Sequence, residues 1–375
     1  MAFLAFVGMT SIALAVAIGR ECLAQTASGA GFQERVHRLA LESVPLKYRF
    51  VDLSGGYARL AGFRICNQRM RYRNGMQGLP YKKSKAGCPP LARGELTNLV
   101  ERLSMKHTPF LFTLAPCKID LEGRLFPEGW EGDNPNRRAE SAAAALAERG
   151  VRVLDLVPRL TATPEDVGRN FFFTDHHWNY RAALQATDLI CSELSDMLGC
   201  PALKHPDQLR PENWKWQTRR RFFLGSHGRR TGCLFGGLSD FEYGVPRFKS
   251  FLERTVPSRR IRKEGDFVKA ETVASALKKA DPHAVNRYAF YTGPDVGLQI
   301  HRNFRAPFPH RVMLVKDSFG DPVAAFLATL FKTVAQVDPR QLSNGETVLD
   351  LVERFRPDAV VWLANPSTLL AQRGN

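Results

Sequence analysis

Hydrophobic and polar positions follow two alternating patterns along most of the chain. Short apolar runs have the length of buried strands, and they occupy residues 110–115, 151–157, 312–315, 333–337 and 359–363. Before and between them, apolar residues recur at helical spacing, in residues 95–104, 136–149, 180–198, 322–330 and 347–355. Strands that alternate with helices predict an α/β fold with a parallel sheet covered on both faces. In such sheets the functional site lies at the carboxyl ends of the strands.

The alternation breaks between residues 201 and 306, which are rich in Arg, Phe, Gly and Pro. Residues 204–264 contain 15 Lys and Arg against 6 Asp and Glu, a difference of +9. Two interpretations stay open for this basic insertion. It is a solvated addition to the domain, or it is a basic wall beside the site that attracts an anionic substrate. On the second interpretation Arg229 is predicted to contact substrate.

The N-terminal segment is the strongest indication of cellular location. Residues 2–19 carry no charge and are mostly apolar, and Cys22-Leu23-Ala24 is an acceptable cleavage site. Residues 1–24 are therefore predicted to be a signal peptide or a membrane anchor, and residues 25–375 a single domain in the periplasm. No Lys or Arg precedes the apolar run, so retention as an anchor stays open. A buried helix is the alternative.

The overall charge indicates an acidic partner. The chain of 375 residues has a formal net charge of +16. Nucleic acid, anionic lipid and acidic polysaccharide would each be attracted to it. The sequence contains no zinc finger, basic zipper or aromatic RNA-binding motif, which argues against nucleic acid.

Cysteine usage is compatible with export. Six cysteines follow the N-terminal segment and none forms a CxxC pair, which argues against a zinc ribbon. An even number in an oxidising compartment suggests disulfides. Proximity in sequence favours Cys66–Cys88 and Cys191–Cys200, and six free buried thiols are the alternative.

A cluster of ionisable residues, Asp175-His176-His177, follows the apolar run of residues 171–173. On an extended chain, alternate residues share a face, so Asp175 is predicted to hold the imidazole of His177 while His176 points away. Trp178 is expected to pack against the start of the next helix. A metal site formed by the three residues, as in DHH-type phosphoesterases, is the alternative, but the further aspartate motifs of those enzymes are not found.

A serine stands at the end of a later strand, in Lys316-Asp317-Ser318-Phe319-Gly320. A serine hydroxyl needs a base and an oxyanion site to act as a nucleophile, and His177 can be that base. Backbone N–H groups at a helix start are unpaired. Ser318 and Gly320 are therefore candidate oxyanion donors.

These two stretches together resemble the bacterial DHHW family and the SGNH-hydrolase-like domains of alginate O-acetyltransferases. In that group the Asp-x-His-Trp motif precedes the serine motif, as in a circular permutation of ordinary SGNH esterases. The resemblance runs from about residue 32 to the C-terminus and implies a flavodoxin-like sheet. By position, Asp175, His177 and Ser318 match the family's catalytic triad.

The resemblance implies an O-acetyltransferase that acts on an anionic exopolysaccharide or cell-surface polysaccharide. It implies a membrane-bound O-acyltransferase as the source of acetyl groups, and it implies neither a metal nor an organic cofactor. The rival hypotheses are a carbohydrate esterase with the same triad and a non-catalytic polysaccharide-binding or assembly protein on a degenerate SGNH scaffold.

Two departures from the family pattern bear on the site. Lys316 replaces the usual Gly before Asp-Ser, which keeps the non-catalytic hypothesis open. The oxyanion-hole asparagine has no evident equivalent, and Asn365 after the last strand is the candidate. Lys118, close to the end of a predicted strand, is a candidate for binding a substrate carboxylate, with a solvated loop lysine as the alternative.

Overall fold

The structure is a computed structural model and describes residues 47–81, 95–130, 132–293, 295–343 and 345–369. Residues 1–24, predicted to be a signal peptide or anchor, lie outside these ranges, and so does Cys88. Within the described ranges, no helix combines the length and the apolar character that crossing a bilayer requires.

The central sheet has eight strands in the order β5-β4-β13-β11-β12-β10-β8-β9. The first five in this order are parallel and correspond to the five apolar runs of the sequence. The predicted parallel sheet is thus confirmed. The strands in chain order are β1 (Ile65–Cys66), β2 (Arg69–Arg71), β3 (Gln77–Gly78), β4 (Phe110–Leu114), β5 (Arg152–Asp155), β6 (Trp214–Phe223), β7 (Ser239–Pro246), β8 (Leu252–Val256), β9 (Ile261–Gly265), β10 (Leu298–Asn303), β11 (Phe308–Lys316), β12 (Phe331–Val337) and β13 (Ala359–Ala364).

Helices connect the parallel strands, and local capping fixes several of their starts. The Thr163 hydroxyl accepts from Asp166 N–H and the Asp166 carboxylate accepts from Thr163 N–H, which forms a capping box. The described α-helices are α1 (Lys47–Leu60), α2 (Glu95–Met105), α3 (Pro135–Ala147), α4 (Val157–Leu160), α5 (Pro164–Asn170), α6 (Tyr180–Met197), α7 (Ser226–Thr231), α8 (Cys233–Gly236), α9 (Phe267–Glu271), α10 (Gly320–Ala328), α11 (Val348–Phe355) and α12 (Pro366–Leu369). Short 3₁₀ helices cover Pro201–Leu203, Asp207–Leu209, Pro211–Asn213, Pro257–Arg259, Ala274–Leu277, Arg287–Phe290 and Pro339–Gln341.

The range 201–306 extends the central sheet. Strands β8, β9 and β10 lie in this range and pair antiparallel, with β10 joining the edge of the parallel part at β12. Strands β6 and β7 form a separate two-stranded sheet. These strands contain more polar residues than the continuous apolar runs of the parallel strands, as is expected of antiparallel strands.

Helix α10 occupies the centre of the fold. All nine of its residues are buried, because the helix packs against both α6 and strand β12. A helix that is apolar on every side is expected at such a position. The turn from β11 into α10 carries Ser318, and α6 begins just after the Asp-His-His stretch. The contact between α6 and α10 therefore brings two distant parts of the chain together.

Cysteine pairing differs from the prediction. Cys191 and Cys200 are both free, so the expected disulfide between them is not formed. Cys66 is also free, and its expected partner Cys88 lies outside the described residues. Cys191 is buried in the apolar core, where a thiol packs as a small hydrophobic side chain.

Candidate active site

Asp175 and His177 form a hydrogen-bonded pair within one bend of the chain. Asp175 Oδ1 lies 2.6 Å from His177 Nδ1, and the same oxygen accepts from the backbone N–H of His177 at 2.9 Å. The backbone bends at residues 175–177 and is not extended, although the pair was predicted from an extended chain. An aspartate side chain that accepts from the backbone N–H two residues ahead forms a common type of turn. This turn positions the Asp175 carboxylate beside the His177 ring.

Ser318 joins this pair from a point 141 residues further along the chain, with its Oγ 2.8 Å from His177 Nε2. The Asp175 carboxylate only accepts hydrogen bonds, so Nδ1 carries the imidazole proton and Nε2 accepts from the serine hydroxyl. Ser318 is half-buried, whereas both partners are buried. The structure thus brings together the three residues that were predicted to act jointly.

The Asp175 carboxylate is held in its charged form. Burial by itself raises its pKa, but His177, His176 and hydrogen bonds outweigh burial and hold the pKa well below its usual range. One of those bonds comes from Ser226 N–H to Oδ2 at 2.6 Å. Gly225 makes this approach possible, because a Cβ there would lie 2.2 Å from Asp175 Cβ.

His176 does not point away, as was expected, but lies against His177. The two ring centroids are 3.7 Å apart, and His176 Nδ1 lies 2.6 Å from Ser226 Oγ. Burial, followed by the neighbouring His177, lowers the pKa of His176. Because the chain bends here, adjacent side chains can lie on the same side.

Trp178 and Tyr288 fix the serine turn. Trp178 Nε1 donates to the carbonyl oxygen of Phe319 at 3.1 Å, so the ring contacts the serine turn, which the sequence did not predict. Tyr288 stacks on His177 with centroids 3.7 Å apart and planes 5° apart. Its hydroxyl donates to Ser318 O at 3.1 Å. Sequence reasoning missed Tyr288, which lies in a segment without a recognisable motif.

Lys118 stabilises the Asp-His-His bend through hydrogen bonds to its main chain. Its ammonium donates to the carbonyl oxygens of Phe172, Phe173 and Asp175 at 2.6, 2.8 and 2.8 Å. All three protons are used and the side chain is buried, so the predicted contact with a substrate carboxylate does not fit this geometry. Burial lowers the pKa of Lys118 to about 7, and the charge of Asp175 opposes that shift.

Lys316, which replaces the usual Gly of the family, forms a buried ion pair that was not predicted from the sequence. Its ammonium lies 2.5 Å from Asp321 Oδ1 and 3.7 Å from Asp338 Oδ2. Gln336 Nε2 also donates to Asp321 Oδ1 at 2.8 Å. Burial raises the pKa of Asp321 to about 6, although Lys316 opposes the shift. The lysine stabilises the start of α10 immediately after the serine.

Gly320 does not serve as the predicted oxyanion donor, because its N–H already donates to Asp317 O at 3.0 Å. Phe319 N–H donates to the Asp317 carboxylate at 3.0 Å. In contrast, the N–H of Ser318 makes no hydrogen bond within the described part of the chain. Of the two backbone N–H groups predicted as oxyanion donors, only the N–H of Ser318 is available to a ligand.

Asn365 and Arg229 both bind main chain. Asn365 Nδ2 donates to Pro116 O at 2.9 Å, and its Oδ1 accepts from Ser367 N–H and hydroxyl. Arg229 donates to Leu224 O and to Val285 O. These bonds connect loops around the site. They give neither side chain a contact with Ser318, so the predicted oxyanion and substrate roles gain no support from the geometry.

The Asp-His-His bend also has the residue types of a metal site. One ligand atom from each of Asp175, His176 and His177 lies within 4.8 Å of the others. Both nitrogens of His177 already face protein partners, namely Asp175 and Ser318. The arrangement therefore suits proton transfer between an oxygen and an imidazole better than metal ligation.

Comparison with known proteins bears on the family resemblance and on the fold. Residues 80–219 match the family model of the SGNH hydrolase-like domain of acetyltransferase AlgX. Over this range the chain is similar to an SGNH hydrolase-like domain. The match includes Asp175 and His177 and ends before Ser318. The resemblance and fold class predicted from the sequence are thereby confirmed, whereas no curated protein matches the chain.

Two solved structures have a fold similar to that of this chain. Bacillus cereus PatB1 with a sulfonyl adduct is 15% identical, with a TM-score of 0.61 over 80% of this chain and 96% of that one. A DHHW family protein from Eubacterium siraeum is 14% identical, with a TM-score of 0.59 over 82% of this chain and 94% of that one. At such low identity the likeness concerns the fold alone.

Proposed function

We propose that this protein is a serine-dependent O-acetyltransferase that acts on a polysaccharide outside the cytoplasm. The observation that carries the proposal is the position of His177, which bridges Ser318 Oγ at 2.8 Å and Asp175 Oδ1 at 2.6 Å. A nucleophile, a base and a group that orients the base are the parts that acyl transfer through serine requires.

In the first half-reaction the serine takes an acetyl group from a donor ester. Ser318 Oγ attacks the acetyl carbonyl while its proton passes to His177 Nε2. Asp175 stabilises the imidazolium that forms. The tetrahedral oxyanion accepts a hydrogen bond from the backbone N–H of Ser318. When the oxyanion collapses, the donor oxygen leaves with the proton from His177, and acetyl-Ser318 remains.

In the second half-reaction a sugar hydroxyl is the acceptor. It gives its proton to His177 Nε2 and attacks the acetyl carbonyl of acetyl-Ser318. Collapse releases the acetylated sugar, and the proton returns to Ser318 Oγ. Water in place of the sugar would give hydrolysis through the same steps, so the acceptor alone separates a transferase from a carbohydrate esterase.

The proposed substrate class rests on charge and on family resemblance. The matching family model is named for an acetyltransferase, and the net charge of +16 suits an anionic polysaccharide. A membrane-bound O-acyltransferase is the proposed source of acetyl groups. Residues 1–24 would place the domain in the periplasm, either free or anchored to the inner membrane.

The test uses the purified protein with an acetylated aryl ester as donor and acidic oligosaccharides as acceptors. Mass spectrometry is expected to find acetylated oligosaccharide with the native chain and none with Ser318→Ala. A sulfonyl fluoride reagent is expected to modify Ser318 and to stop both half-reactions. Cys200→Ser, which alters a free thiol away from the site, is the control.

Two results would contradict the proposal in different ways. Release of the aryl group without acetylated sugar, over a range of acceptors, would identify an esterase. Unchanged polymer acetylation in cells that carry Ser318→Ala would show that the serine is not the nucleophile, and it would favour a binding or assembly role.

A further inference from the structure

A second cluster of ionisable side chains lies outside the serine site. It consists of Asp52 in α1, Cys233 at the start of α8, and His283 in the loop after the 3₁₀ helix Ala274–Leu277. One ligand atom from each lies within 4.8 Å of the other two. His283 is buried, and the other two are half-buried. Three distant segments of the chain therefore meet at one point.

Both partners of His283 approach the same ring nitrogen. Asp52 Oδ1 lies 3.1 Å and Cys233 Sγ 3.9 Å from His283 Nε2. In a nucleophilic Cys-His-Asp relay, the carboxylate binds the nitrogen opposite the thiol. A single Nε2 proton cannot serve both the carboxylate and the sulfur. The geometry is thus that of three donors converging on a common centre.

The separations fit those of ligands around a tetrahedral zinc ion. With Zn–N and Zn–O of about 2.0–2.1 Å and Zn–S of about 2.3 Å, neighbouring ligand atoms lie about 3.3–3.6 Å apart. The observed 3.1 and 3.9 Å lie on either side of that range. Each of these two separations needs an adjustment of a few tenths of an ångström, and the third, between the ligand atoms of Asp52 and Cys233, is below 4.8 Å.

The surroundings hold these side chains in place before any ion binds. Tyr48 stacks on the ring of His283, with centroids 4.5 Å apart. Asp52 Oδ1 accepts from Cys233 N–H at 2.6 Å. Gly232 has φ +82°, and a Cβ there would lie 2.6 Å from Asp52 Cα. Only a glycine lets the chain pass this close to α1 and deliver Cys233 to Asp52.

We propose that Asp52, Cys233 and His283 bind one Zn²⁺ ion, with water as the fourth ligand. On binding, the Cys233 thiol releases one proton to solvent, and the neutral His283 ring carries its proton on Nδ1 and coordinates through Nε2. The charges of Zn²⁺, thiolate and carboxylate sum to zero, which suits a largely buried site. The ion would join α1 to the body of the domain, and the water would leave one coordination position open to exchange.

The test begins with the purified full chain, stripped with a chelator and then titrated with Zn²⁺. We expect one tight site per chain and a higher unfolding temperature with the ion bound. Cys233→Ser and His283→Gln are each expected to weaken binding by about 100-fold or more, since even loss of an outer contact weakens metal affinity by about 10–100-fold. Cys200→Ser, at another half-buried free cysteine, is expected to bind as the native chain does.

Co²⁺ distinguishes this cluster from the Asp-His-His bend, because only this cluster contains a thiol. The Co²⁺-loaded protein is expected to show a thiolate-to-cobalt charge-transfer band that disappears in Cys233→Ser and persists in His176→Gln. Absence of that band in the native chain, or equal zinc affinity in the native chain and in His283→Gln, would overturn the proposal. The unfolding temperatures of the metal-free variants and of the metal-free native chain are compared as well, so that a folding defect is recognised separately from loss of the ion.

Discussion

The ring of Tyr288 lies flat on the imidazole of His177, with 3.7 Å between centroids and 5° between planes. The same side chain donates its hydroxyl to the carbonyl oxygen of Ser318 at 3.1 Å. One buried tyrosine therefore sets the position of the proposed base relative to the proposed nucleophile. Its role can be tested by removing the hydroxyl and the ring separately.

For Tyr288→Phe we expect kcat to fall about fivefold, which corresponds to one hydrogen bond of about 1 kcal/mol. For Tyr288→Leu we expect a loss of about 100-fold, because the imidazole loses its support and shifts. Ester turnover by the purified variants measures both effects. Equal losses in the two variants would contradict separate roles for ring and hydroxyl.

Asp175→Asn tests whether the carboxylate sets the imidazole tautomer. We expect kcat to fall by about 10⁴, because an amide can donate to Nδ1 and so favours a proton on Nε2. Asp188 and His205 form another Asp–His pair, with 2.7 Å between Oδ2 and Nδ1 on the surface, and Asp188→Asn is the matched control. We expect the control to keep native kcat, and a similar loss in both would indicate a general effect on folding.

Gly225→Ala tests the close packing behind Asp175. The added methyl would lie 2.2 Å from Asp175 Cβ, so the carboxylate has to move. We expect about 1–3 kcal/mol less stability from overpacking and about 100-fold lower kcat from displacement of the pair. In Gly168→Ala, the nearest atom to the new methyl is 3.9 Å away. This helical control is expected to retain kcat and stability, as measured by ester turnover and urea unfolding.

Lys118 gives the protein a pH-dependent stability. Its pKa in the folded chain is about 7, whereas an unfolded lysine titrates near about 10.4. Between these values the unfolded state binds more protons, so the free energy of unfolding rises with pH, by up to about 1.4 kcal/mol per unit. Urea unfolding from pH 6 to 9 is expected to show this slope in the native chain, beyond that of Lys118→Met.

Lys215 is exposed, and Lys215→Met is the control for that experiment. We expect this variant to show the same dependence of the free energy of unfolding on pH as the native chain. A slope that does not differ between the native chain and Lys118→Met would contradict a buried lysine that loses its proton near neutrality. The comparison measures stability alone and does not depend on the proposed activity.

Lys316→Met tests the buried ion pair behind the serine turn. The substitution leaves the Asp321 carboxylate buried without its cation, whereas Asp338 keeps its ion pair with Arg340. We expect the free energy of unfolding to fall by about 3–5 kcal/mol. Lys106 forms an exposed ion pair with Glu353, and we expect Lys106→Met to cost about 0–1 kcal/mol. Denaturant unfolding of both variants provides the comparison, and equal costs would show that burial does not matter at Lys316.

The sequence by itself determined the parallel sheet and the residue types of the site. Apolar runs such as 312–315 have the length of strands and contain valine, which favours buried strands over helices. The Asp-x-His-Trp and Asp-Ser motifs are local, and their resemblance to a known family identified Asp175, His177 and Ser318 together. Disulfide pairing was wrong for Cys191 and Cys200, because proximity in sequence does not determine side-chain direction.

The tertiary structure alone decided how these residues are supported. The bond from His177 to Ser318 spans 141 residues and depends on the packing of α6 against α10. Lys118 stabilises the bend, because its ammonium group donates hydrogen bonds to three carbonyl oxygens of another segment. No local sequence pattern predicts the role of Tyr288 or the cluster of Asp52, Cys233 and His283. Such contacts depend on how distant segments pack, which periodicity and motif spacing do not encode.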